Sequence, residues 1–424
     1  MIWYPYAIQK NLIPPIKIIR GEGEYLIDEN GEKYIDAVSS WWTSIHGHNH
    51  PQIIEAIKSQ LDHLDHVMLA GFTHTPAEVL AGKLVELTEN KFTRVYYSDN
   101  GSCANEIAIK IAHQFFKNQN LDSKVEILHF SKSYHGDTIG AMSVGGDSYF
   151  TGVYREILFP SPEFISPDCY ECPYQKNPKT CNLECLENLK EYIDKYHEKV
   201  FSIILEPLVQ GANGMVMYKE EVLDEIILLC KQKDILVIFD EVFTGFGRTG
   251  KFFAYQNLKN TPDIICLAKG LTGGTLPLAA TLISDEIYQK FYSEDPIHAF
   301  YHGHTMTGNP PACAAALASL NLMENENRLK EVESLNLAFN RLKDDLGIQY
   351  NSLIKNIRVL GAIFAFDLLE ETQIDRLKNY CLSKKVVIRP LGTAVYLCPP
   401  YTITESNLNH IISTLKEGLN LLLE

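Results

Sequence analysis

Short apolar runs alternate with helix-like patterns of apolar and polar residues through the middle of the chain, from about residue 50 to residue 310. Residues 94–97, 125–130 and 201–205 are such runs, and each has the length of one strand. Strands that alternate with helices are typical of a mostly parallel sheet whose faces are covered by helices. The pattern therefore predicts an α/β fold with a large parallel sheet.

The two ends of the chain have a different pattern. Residues 21–36 predict an antiparallel hairpin around Asn30-Gly31, because Asn-Gly favours a tight hairpin turn. From residue 311 onward, an alanine-rich helix over residues 312–322 precedes mixed helices and strands. We expect both ends to build one smaller α+β domain from residues 1–55 and 311–424, beside a large domain of residues 56–310.

A lysine and an aspartate each end a buried, strand-like run. Lys269 follows the run of residues 263–268, and Asp240 follows the run of residues 235–239. Alone, a lysine there is usually a solvated terminus, and an aspartate is often a helix cap. Together they predict a site for pyridoxal phosphate. Lys269 would form a Schiff base with the cofactor aldehyde, and Asp240 would keep the pyridine nitrogen protonated.

The turn after the strand at residues 94–97 predicts an anion site. Gly101 and Ser102 precede a helical pattern, and the free N–H groups of a helix N-terminus favour a phosphate. An ordinary N-cap serine is the alternative. Tyr134 follows the strand that ends at Phe130 and would stack on the cofactor ring, although aromatic residues mostly serve packing.

One motif suggests a different cofactor. Residues 245–250 fit G-x-G-x-x-G and follow a strand, as in dinucleotide-binding proteins. However, Asp240 and Glu241 stand just before this loop and would repel a pyrophosphate, and the segment after it is a poor start for a helix. The context therefore disfavours an NAD-dependent oxidoreductase.

Composition and charge exclude several classes of partner. The chain has 424 residues and a net charge of -15, which argues against nucleic acid or an anionic membrane as a partner. No apolar run approaches the roughly 20 residues that span a bilayer, and the first residues lack the pattern of an export signal. We therefore expect a cytoplasmic enzyme whose ten cysteines are reduced.

Four of the cysteines lie in one short segment. They are Cys169, Cys172, Cys181 and Cys185. Their spacing is acceptable for a structural zinc site, which stays an alternative. Our prediction is that the chain binds no metal.

Longer motifs resemble a known family. The segment FDEVFTGFGRTGK at residues 239–251, with Lys269 downstream, is similar to the signature of the class III aminotransferases of the fold type I pyridoxal-phosphate superfamily. Residues 39–42, SSWW, and 45–51, IHGHNHP, more specifically resemble the adenosylmethionine-8-amino-7-oxononanoate aminotransferases of biotin biosynthesis. Residues 3–6 and 389–400 also resemble that group, so the resemblance covers nearly the whole chain.

The resemblance implies how the cofactor is held. The implied cofactor contacts are Gly101, Ser102, Tyr134, Asp240, Lys269 and Thr305. Lys269 would anchor the cofactor and then move a proton between the substrate carbon and the cofactor carbon. Thr305 would reach the phosphate held by the other subunit, which implies a homodimer with shared active sites.

The resemblance also implies a substrate slot. The implied substrate-binding residues are Tyr6, Trp41, Trp42, Tyr134, Gly303, Arg389 and Tyr396, and the implied catalytic residues are Lys269, Asp240 and Tyr6. The expected substrate has a long aliphatic body that needs apolar walls, and a carboxylate that fits the planar fork of Arg389. Core packing is the alternative for the tryptophan pair.

The reaction implied is amino transfer to 8-amino-7-oxononanoate, giving 7,8-diaminononanoate, with S-adenosylmethionine as the expected donor. Lysine stays open as the donor, because His304 and Leu391 stand where the family usually has a proline and an aromatic residue. A class III enzyme for ornithine, 4-aminobutyrate or another ω-amine is a second alternative. A non-catalytic cofactor-binding or zinc-binding protein is a third.

Overall fold

The computed structural model describes residues 2–11, 13–146 and 151–423. Its largest sheet has seven strands, numbered here in chain order. Across the sheet these are β4 (Arg94–Ser98), β12 (Ala279–Ile283), β11 (Ile264–Leu267), β10 (Leu236–Asp240), β7 (Val200–Leu205), β5 (Glu126–Phe130) and β6 (Glu163–Phe164). The runs predicted as strands therefore lie side by side in one sheet.

Most of this sheet is parallel. β10 pairs in parallel with β7 and β11, and β5 pairs in parallel with β7 and β6. Only β12 runs the other way, antiparallel to β11 and β4. Every residue of β7, β10, β11 and β12 is buried, because helices cover both faces of a parallel sheet. The predicted α/β class is confirmed, and β4, β5, β7, β10 and β11 all end at the same edge.

The helices cover this sheet and the smaller sheets. They are α1 (Ser39–Trp42), α2 (Pro51–Leu61), α3 (Thr75–Leu87), α4 (Gly101–Lys117), α5 (Ile139–Ser143), α6 (Glu187–Tyr196), α7 (Glu220–Gln232), α8 (Asp285–Gln289), α9 (Pro310–Asn325), α10 (Arg328–Gln349), α11 (Ile374–Ser383) and α12 (Glu405–Leu423). α4 crosses β4, β7, β10, β11 and β12, and its apolar residues at helical spacing are buried against them. This packing fixes the start of α4 at the edge where the strands end.

The element α1 is a left-handed turn. Its four residues all have positive φ, from 45° at Ser40 to 74° at Trp42. The left-handed region costs an L-residue about 1–2 kcal/mol, so the surrounding structure must hold this turn. The Ser39 hydroxyl donates to the Cys398 carbonyl over 2.7 Å and ties the turn to the C-terminal part of the chain. As a result Trp42 points inward and is buried, while Trp41 is partly exposed.

Both chain ends contribute to one small sheet. It contains β1 (Ile18–Glu22), β2 (Tyr25–Asp28), β3 (Lys33–Asp36) and β15 (Val386–Val387). Another sheet contains β13 (Ile354–Leu360), β14 (Ile363–Leu368) and β16 (Ala394–Leu397), and a short pair contains β8 (Val209–Gln210) and β9 (Val216–Met217). β2 and β3 form the hairpin expected around Asn30-Gly31. The domain boundaries near residues 55 and 310 stay a prediction.

Among the helices of the described residues, none is both long and apolar enough to cross a bilayer.

Candidate active site

Asp240 and Lys269 lie at the ends of neighbouring strands. β10 ends at Asp240, which stands opposite Cys266 of β11, and Lys269 follows β11 after Ala268. The backbone of Lys269 is left-handed, with φ 45°, which is a strained conformation for this residue. Burial lowers the pKa of Lys269, while the carboxylates of Asp240 and Glu206 act in the opposite direction. The site therefore holds an amine that is easier to deprotonate than an ordinary lysine.

Asp240 is fixed by three donors. Its Oδ2 accepts a hydrogen bond from Asn105 Nδ2 and another from His135 Nδ1, both over 2.8 Å. Its Oδ1 accepts from the backbone N–H of Val242 over 3.0 Å. Asn105 also donates to the His135 carbonyl over 2.8 Å, so these side chains hold one another. The carboxylate is thereby oriented before any ligand binds.

A cavity of about 450 Å³ opens over these two residues. Its lining includes Trp42, Tyr134, Gly136, Glu206, Phe243 and the loop of residues 274–278. The amine of Lys269 lies 4.5 Å from the ring centre of Trp42 and 5.8 Å from that of Phe243. The cavity thus joins the Lys269 amine and three carboxylates, those of Asp99, Glu206 and Asp240, to apolar walls, as in sites for small molecules.

The same cavity includes the N-terminus of α4. Gly101 and Ser102 are its first two residues, and the Asn100 side chain caps the helix by accepting from the backbone N–H of Cys103. Thus Asn100, not Ser102, is the N-cap residue. The N–H groups of the first helical turn have no partner within the helix, and they face the cavity with the positive end of the helix dipole.

Two glycines make this anion cradle possible. A Cβ on Gly101 would lie 2.7 Å from a methyl group of Val242. A Cβ on Gly136, which has φ 128°, would lie 1.8 Å from the Ser102 hydroxyl. Side chains at either position would fill the space beside the helix start. The cradle, the oriented carboxylate and the buried amine are the three features that pyridoxal phosphate needs, so these residues fit that cofactor.

Aromatic residues extend the site away from Lys269. The Tyr6 hydroxyl donates to Asp137 and lies 3.4 Å from the hydroxyl of Tyr134. The ring of Tyr6 meets Trp41 edge to face at 5.5 Å. The Arg389 guanidinium stacks over Trp41 at 4.2 Å. A continuous apolar surface with an arginine at its far end thus begins at the cavity.

Trp42 and Tyr396 form a second wall. Their ring centres lie 6.1 Å apart, and Phe243 packs on Trp42 at 4.4 Å. Trp42 Nε1 and the Tyr396 hydroxyl are buried and have no hydrogen-bond partner among the described residues. Leu391 packs against this cluster. These two buried polar atoms belong to neighbouring rings of the same wall.

Two of the predicted residues lie outside the cavity of this chain. Gly303 and Thr305 are exposed and do not line it. On the same loop, His304 Nδ1 lies 2.9 Å from the carboxylate of Asp99, and Asp99 lines the cavity. Within one chain, the structure therefore gives Gly303 and Thr305 no contact with the other predicted site residues.

The structure also adds residues that the sequence analysis missed. Glu206 directly follows β7 at the same sheet edge, and the strand-end argument used for Asp240 applies to it equally. His135 and Asn105 hold Asp240, and Asp137 holds Tyr6, through contacts between residues far apart in the sequence, which no local motif indicates. Arg248, inside the glycine-rich motif, is buried, and its Nη2 has no partner in the part of the chain that the structure describes.

The glycine-rich motif is not a dinucleotide site. Residues 241–250 form successive turns, and the next helical element is a short 3-10 turn over Ala254–Asn257. A dinucleotide fingerprint needs a helix that begins at the glycines. The structure therefore agrees with the prediction that this motif does not bind a dinucleotide.

The four clustered cysteines surround a separate, small cavity. Cys169, Cys172, Cys181 and Cys185 line a space of about 20 Å³, and Lys219 Nζ lies 3.7 Å from the Cys181 sulfur. Burial raises the pKa of Cys185 to about 11, and the neighbouring thiols add to this. Across residues 2–11, 13–146 and 151–423, no three histidine, cysteine, aspartate or glutamate side chains are placed to hold one metal ion.

Comparison with known proteins gives one family. The family model described as aminotransferase class III matches residues 6–419. A protein of Geobacter sulfurreducens is 38% identical over 99% of this chain and 95% of its own length. One of Methanocaldococcus jannaschii is 39% identical over 99% of this chain and 96% of its own length. Both are named adenosylmethionine-8-amino-7-oxononanoate aminotransferase.

Solved structures show the same fold. The crystal structure of the enzyme so named from Methanocaldococcus jannaschii has a TM-score of 0.91, is 38% identical, and is matched over 99% of this chain and 96% of that one. A PLP-bound amine transaminase from an uncultivated Pseudomonas species has a TM-score of 0.93 at 29% identity, over 99% of this chain and 98% of that one. The similarity therefore extends over the whole chain.

Proposed function

The chain belongs to the class III aminotransferases, and from that premise we propose that it transfers an amino group to 8-amino-7-oxononanoate, giving 7,8-diaminononanoate in biotin biosynthesis. One observation carries the choice of substrate. Trp41, Trp42 and Tyr6 form an apolar surface that runs from the Lys269 cavity to the guanidinium of Arg389. This is the arrangement that a long aliphatic keto acid with a terminal carboxylate requires.

The enzyme uses pyridoxal phosphate, as class III aminotransferases do. When bound, the cofactor withdraws electrons from the substrate carbon and so stabilises the charge left when a proton departs. The residues that would hold it are Lys269, Asp240, Gly101, Ser102 and Tyr134. Asp240 supplies a negative charge for the pyridine nitrogen, and the start of α4 supplies N–H groups for the phosphate.

Lys269 is the residue that moves the proton in this proposal. Its amine lies over the rings of Trp42 and Phe243. Burial lowers the pKa of Lys269, so a larger fraction of the amine is neutral near pH 7 and able to accept a proton.

The far end of the slot recognises the carboxylate. Arg389 is exposed, stacks on Trp41, and has no carboxylate partner in the described ranges. A guanidinium offers two parallel N–H groups to a carboxylate, which fixes both position and orientation. Trp42 lies over Lys269 and packs beside Tyr396, so these two rings line the slot near the reacting amine.

For the amino donor we propose S-adenosylmethionine, which appears in the names of the relatives. Lysine is the competing donor, because His304 and Leu391 border the site where the donor must also bind. His304 lies beside Asp99, and Leu391 packs with the Trp42 cluster. Neither contact selects between the two donors.

The proposed function is tested by the product. The cofactor-loaded enzyme is incubated with 8-amino-7-oxononanoate and either S-adenosylmethionine or lysine, and 7,8-diaminononanoate is measured by mass spectrometry. We expect product with S-adenosylmethionine and none from the Lys269→Ala variant. Product with lysine alone would overturn the donor. No product with either donor, together with turnover of ornithine or 4-aminobutyrate, would overturn the proposed function.

A homodimer is part of the proposal. Gly303 and Thr305 are exposed and lie outside the cavity of their own chain. The same loop exposes two apolar side chains, Tyr301 and Met306. We infer that this loop packs on a second copy and brings Thr305 to the phosphate in the partner's site. A cytoplasmic location also stays proposed, since it would keep the ten free cysteines reduced.

A further inference from the structure

Glu206 is a second carboxylate at the catalytic edge of the sheet. It follows the last residue of β7, the strand that pairs with β10, so it stands beside Asp240 at the neighbouring strand end. It lines the same cavity as Lys269, and only 6% of the residue is exposed. Most carboxylates are at the surface, and a buried one must be held by donors or by charge.

Two backbone groups hold this carboxylate. Oε1 accepts from the N–H of Tyr134 and Oε2 accepts from the N–H of Gly211, each over 2.9 Å. Glu206 therefore bridges the loop after β5, which carries Tyr134, and the turn after β8. Both donors are neutral, so they fix the position of the carboxylate without neutralising its charge.

The groups that face Glu206 come from four neighbouring elements. Lys269 follows β11, Asp240 ends β10, His135 follows β5, and Tyr218 follows β9. Burial raises the pKa of Glu206 to about 7, with a smaller contribution from Asp240, while His135 and the two N–H groups lower it. The amine of Lys269 is itself faced by Asp240, Glu206, Cys398 and Arg248. Glu206 therefore shares a cavity with Lys269, and its carboxylate is one of the charges that raise the pKa of that amine.

We propose that Glu206 is a positioning residue that stabilises the ammonium form of Lys269 while Lys269 carries the substrate proton. Lys269 Nζ takes up and returns the substrate proton, and Glu206 forms no bond. Glu206 acts in its ionised form, whose fraction rises as the pH passes about 7. This role deepens the proposed function and rests on it, since Asp240 is occupied with the pyridine nitrogen and leaves Glu206 as the other carboxylate that acts on the amine.

Glu241 offers a matched control. It is also a buried carboxylate that accepts two backbone N–H groups, from Ala254 and Tyr255. Burial raises its pKa to about 7 as well. However, Glu241 does not line the cavity and is not among the groups that face Lys269. Glu241→Gln therefore repeats the loss of one buried charge and one hydrogen bond without touching the amine.

The test is the titration of Lys269 in the cofactor-free protein. Acetylation of Lys269 by acetic anhydride is measured across pH by mass spectrometry in the parent, Glu206→Gln, Glu206→Asp and Glu241→Gln proteins. We expect the midpoint to move to lower pH in Glu206→Gln, to move less in Glu206→Asp, and to stay at the parent value in Glu241→Gln. A midpoint unchanged in Glu206→Gln would overturn the proposal, as would an equal movement in Glu241→Gln. If Glu206→Gln does not fold, an unchanged acetylation midpoint in Glu206→Asp would overturn the proposal.

A second measurement separates this inference from the proposed function. In protein loaded with pyridoxamine phosphate, the rate of the single turnover with 8-amino-7-oxononanoate should fall about tenfold or more in Glu206→Gln, while Glu241→Gln keeps the parent rate. An unchanged rate in Glu206→Gln would contradict the assigned role. If the parent protein itself does not react with this keto acid, the proposed function fails, and the Lys269 titration still decides the role of Glu206.

Discussion

At the scale of single residues, Lys269 combines three conditions that rarely occur together. Its backbone is left-handed, its amine is buried against aromatic rings, and two carboxylates act on it from neighbouring strand ends. Strain and buried charge both cost stability and persist where function requires them. A substitution at this position should therefore abolish the chemistry without loss of the fold.

Arg389 supplies the first prediction at this scale. Arg389→Ala should lower kcat/KM for 8-amino-7-oxononanoate about 10- to 100-fold, mainly through KM, because a charge-assisted hydrogen bond contributes roughly 1.5–3 kcal/mol. Arg389→Lys should recover only part of this, since an ammonium lacks the planar fork. Steady-state kinetics with the keto acid varied give both constants.

The control for this variant is Arg341→Ala, which removes an exposed arginine from α10. It should keep the parent constants. An unchanged KM in Arg389→Ala would show that the carboxylate binds elsewhere.

The sequence predicted the residues whose position follows from local rules. Lys269 and Asp240 end apolar runs, and the carboxyl ends of parallel strands meet at one edge of the sheet. Glu206 follows the same rule and was missed, although its strand was recognised. Asp137 and Asn105 could not be found in this way, because their roles depend on side-chain contacts with residues about 130 positions away.

At the scale of elements, one polar chain joins the N-terminal part of the protein to the turn that carries Lys269. His46 Nε2 lies 3.1 Å from the Ser319 hydroxyl, and that hydroxyl donates to the Gly270 carbonyl over 3.2 Å. His46 lies in the loop before α2, Ser319 lies on α9, and Gly270 follows Lys269. These contacts connect the loop before α2 and helix α9 to the turn that begins at Lys269.

The burial of His46 predicts a pH dependence of stability. Burial lowers the pKa of His46 to about 3, whereas in an unfolded chain it is about 6.5. Between these values the unfolded state binds more protons, so the free energy of unfolding falls as the pH decreases from about 6.5. The contribution of one such group is at most about 1.4 kcal/mol per pH unit.

His46→Gln removes this group, so its unfolding midpoint in urea should depend less on pH than that of the parent between about pH 7 and pH 5. His63→Gln removes an exposed histidine and should follow the parent. Equal pH dependence in the parent and His46→Gln proteins would show that His46 is not held neutral in the folded state.

The strands were easier to predict than the turns. Apolar runs marked β4, β5, β7, β10 and β11 to within a residue or two, because a buried parallel strand has little freedom in composition. The left-handed turn Ser39–Trp42 had no such signal. Serine and tryptophan do not favour positive φ, and the turn is held by side-chain contacts that include the distant Cys398 carbonyl.

At the scale of the whole molecule, the site of one chain lacks the loop with Gly303 and Thr305. A subunit-mixing experiment tests where Thr305 acts. In an equal mixture of Lys269→Ala and Thr305→Arg subunits that exchange freely, one half of the dimers are mixed. Each mixed dimer has one site with an intact lysine that is completed by an intact threonine.

We therefore expect about one quarter of the parent activity from this mixture, and none from either variant alone. If Thr305 acts in its own subunit, both sites of a mixed dimer are damaged and the mixture stays inactive. If Thr305→Arg alone is active, Thr305 does not approach the phosphate. The molar mass in solution gives the oligomeric state independently.

The fold of the whole chain was more predictable than its assembly. Alternation of strands and helices predicted the large sheet. The different patterns at the ends predicted one smaller α+β domain, and the structure shows a small sheet to which both ends contribute. A partner subunit leaves only an indirect trace in one sequence. Exposed apolar residues such as Tyr301 and Met306 become recognisable only when the structure shows which side chains are not buried.

In the function that we propose, Lys269 and the residues at its edge of the sheet serve the transfer of an amino group to 8-amino-7-oxononanoate. The most direct test loads the enzyme with pyridoxamine phosphate and follows the cofactor absorbance after addition of this keto acid or, in parallel, succinic semialdehyde. We predict that only 8-amino-7-oxononanoate converts the cofactor back to its aldehyde-derived form, and that Lys269→Ala does not show the change at the parent rate. Conversion by succinic semialdehyde alone would contradict the account and indicate a 4-aminobutyrate aminotransferase.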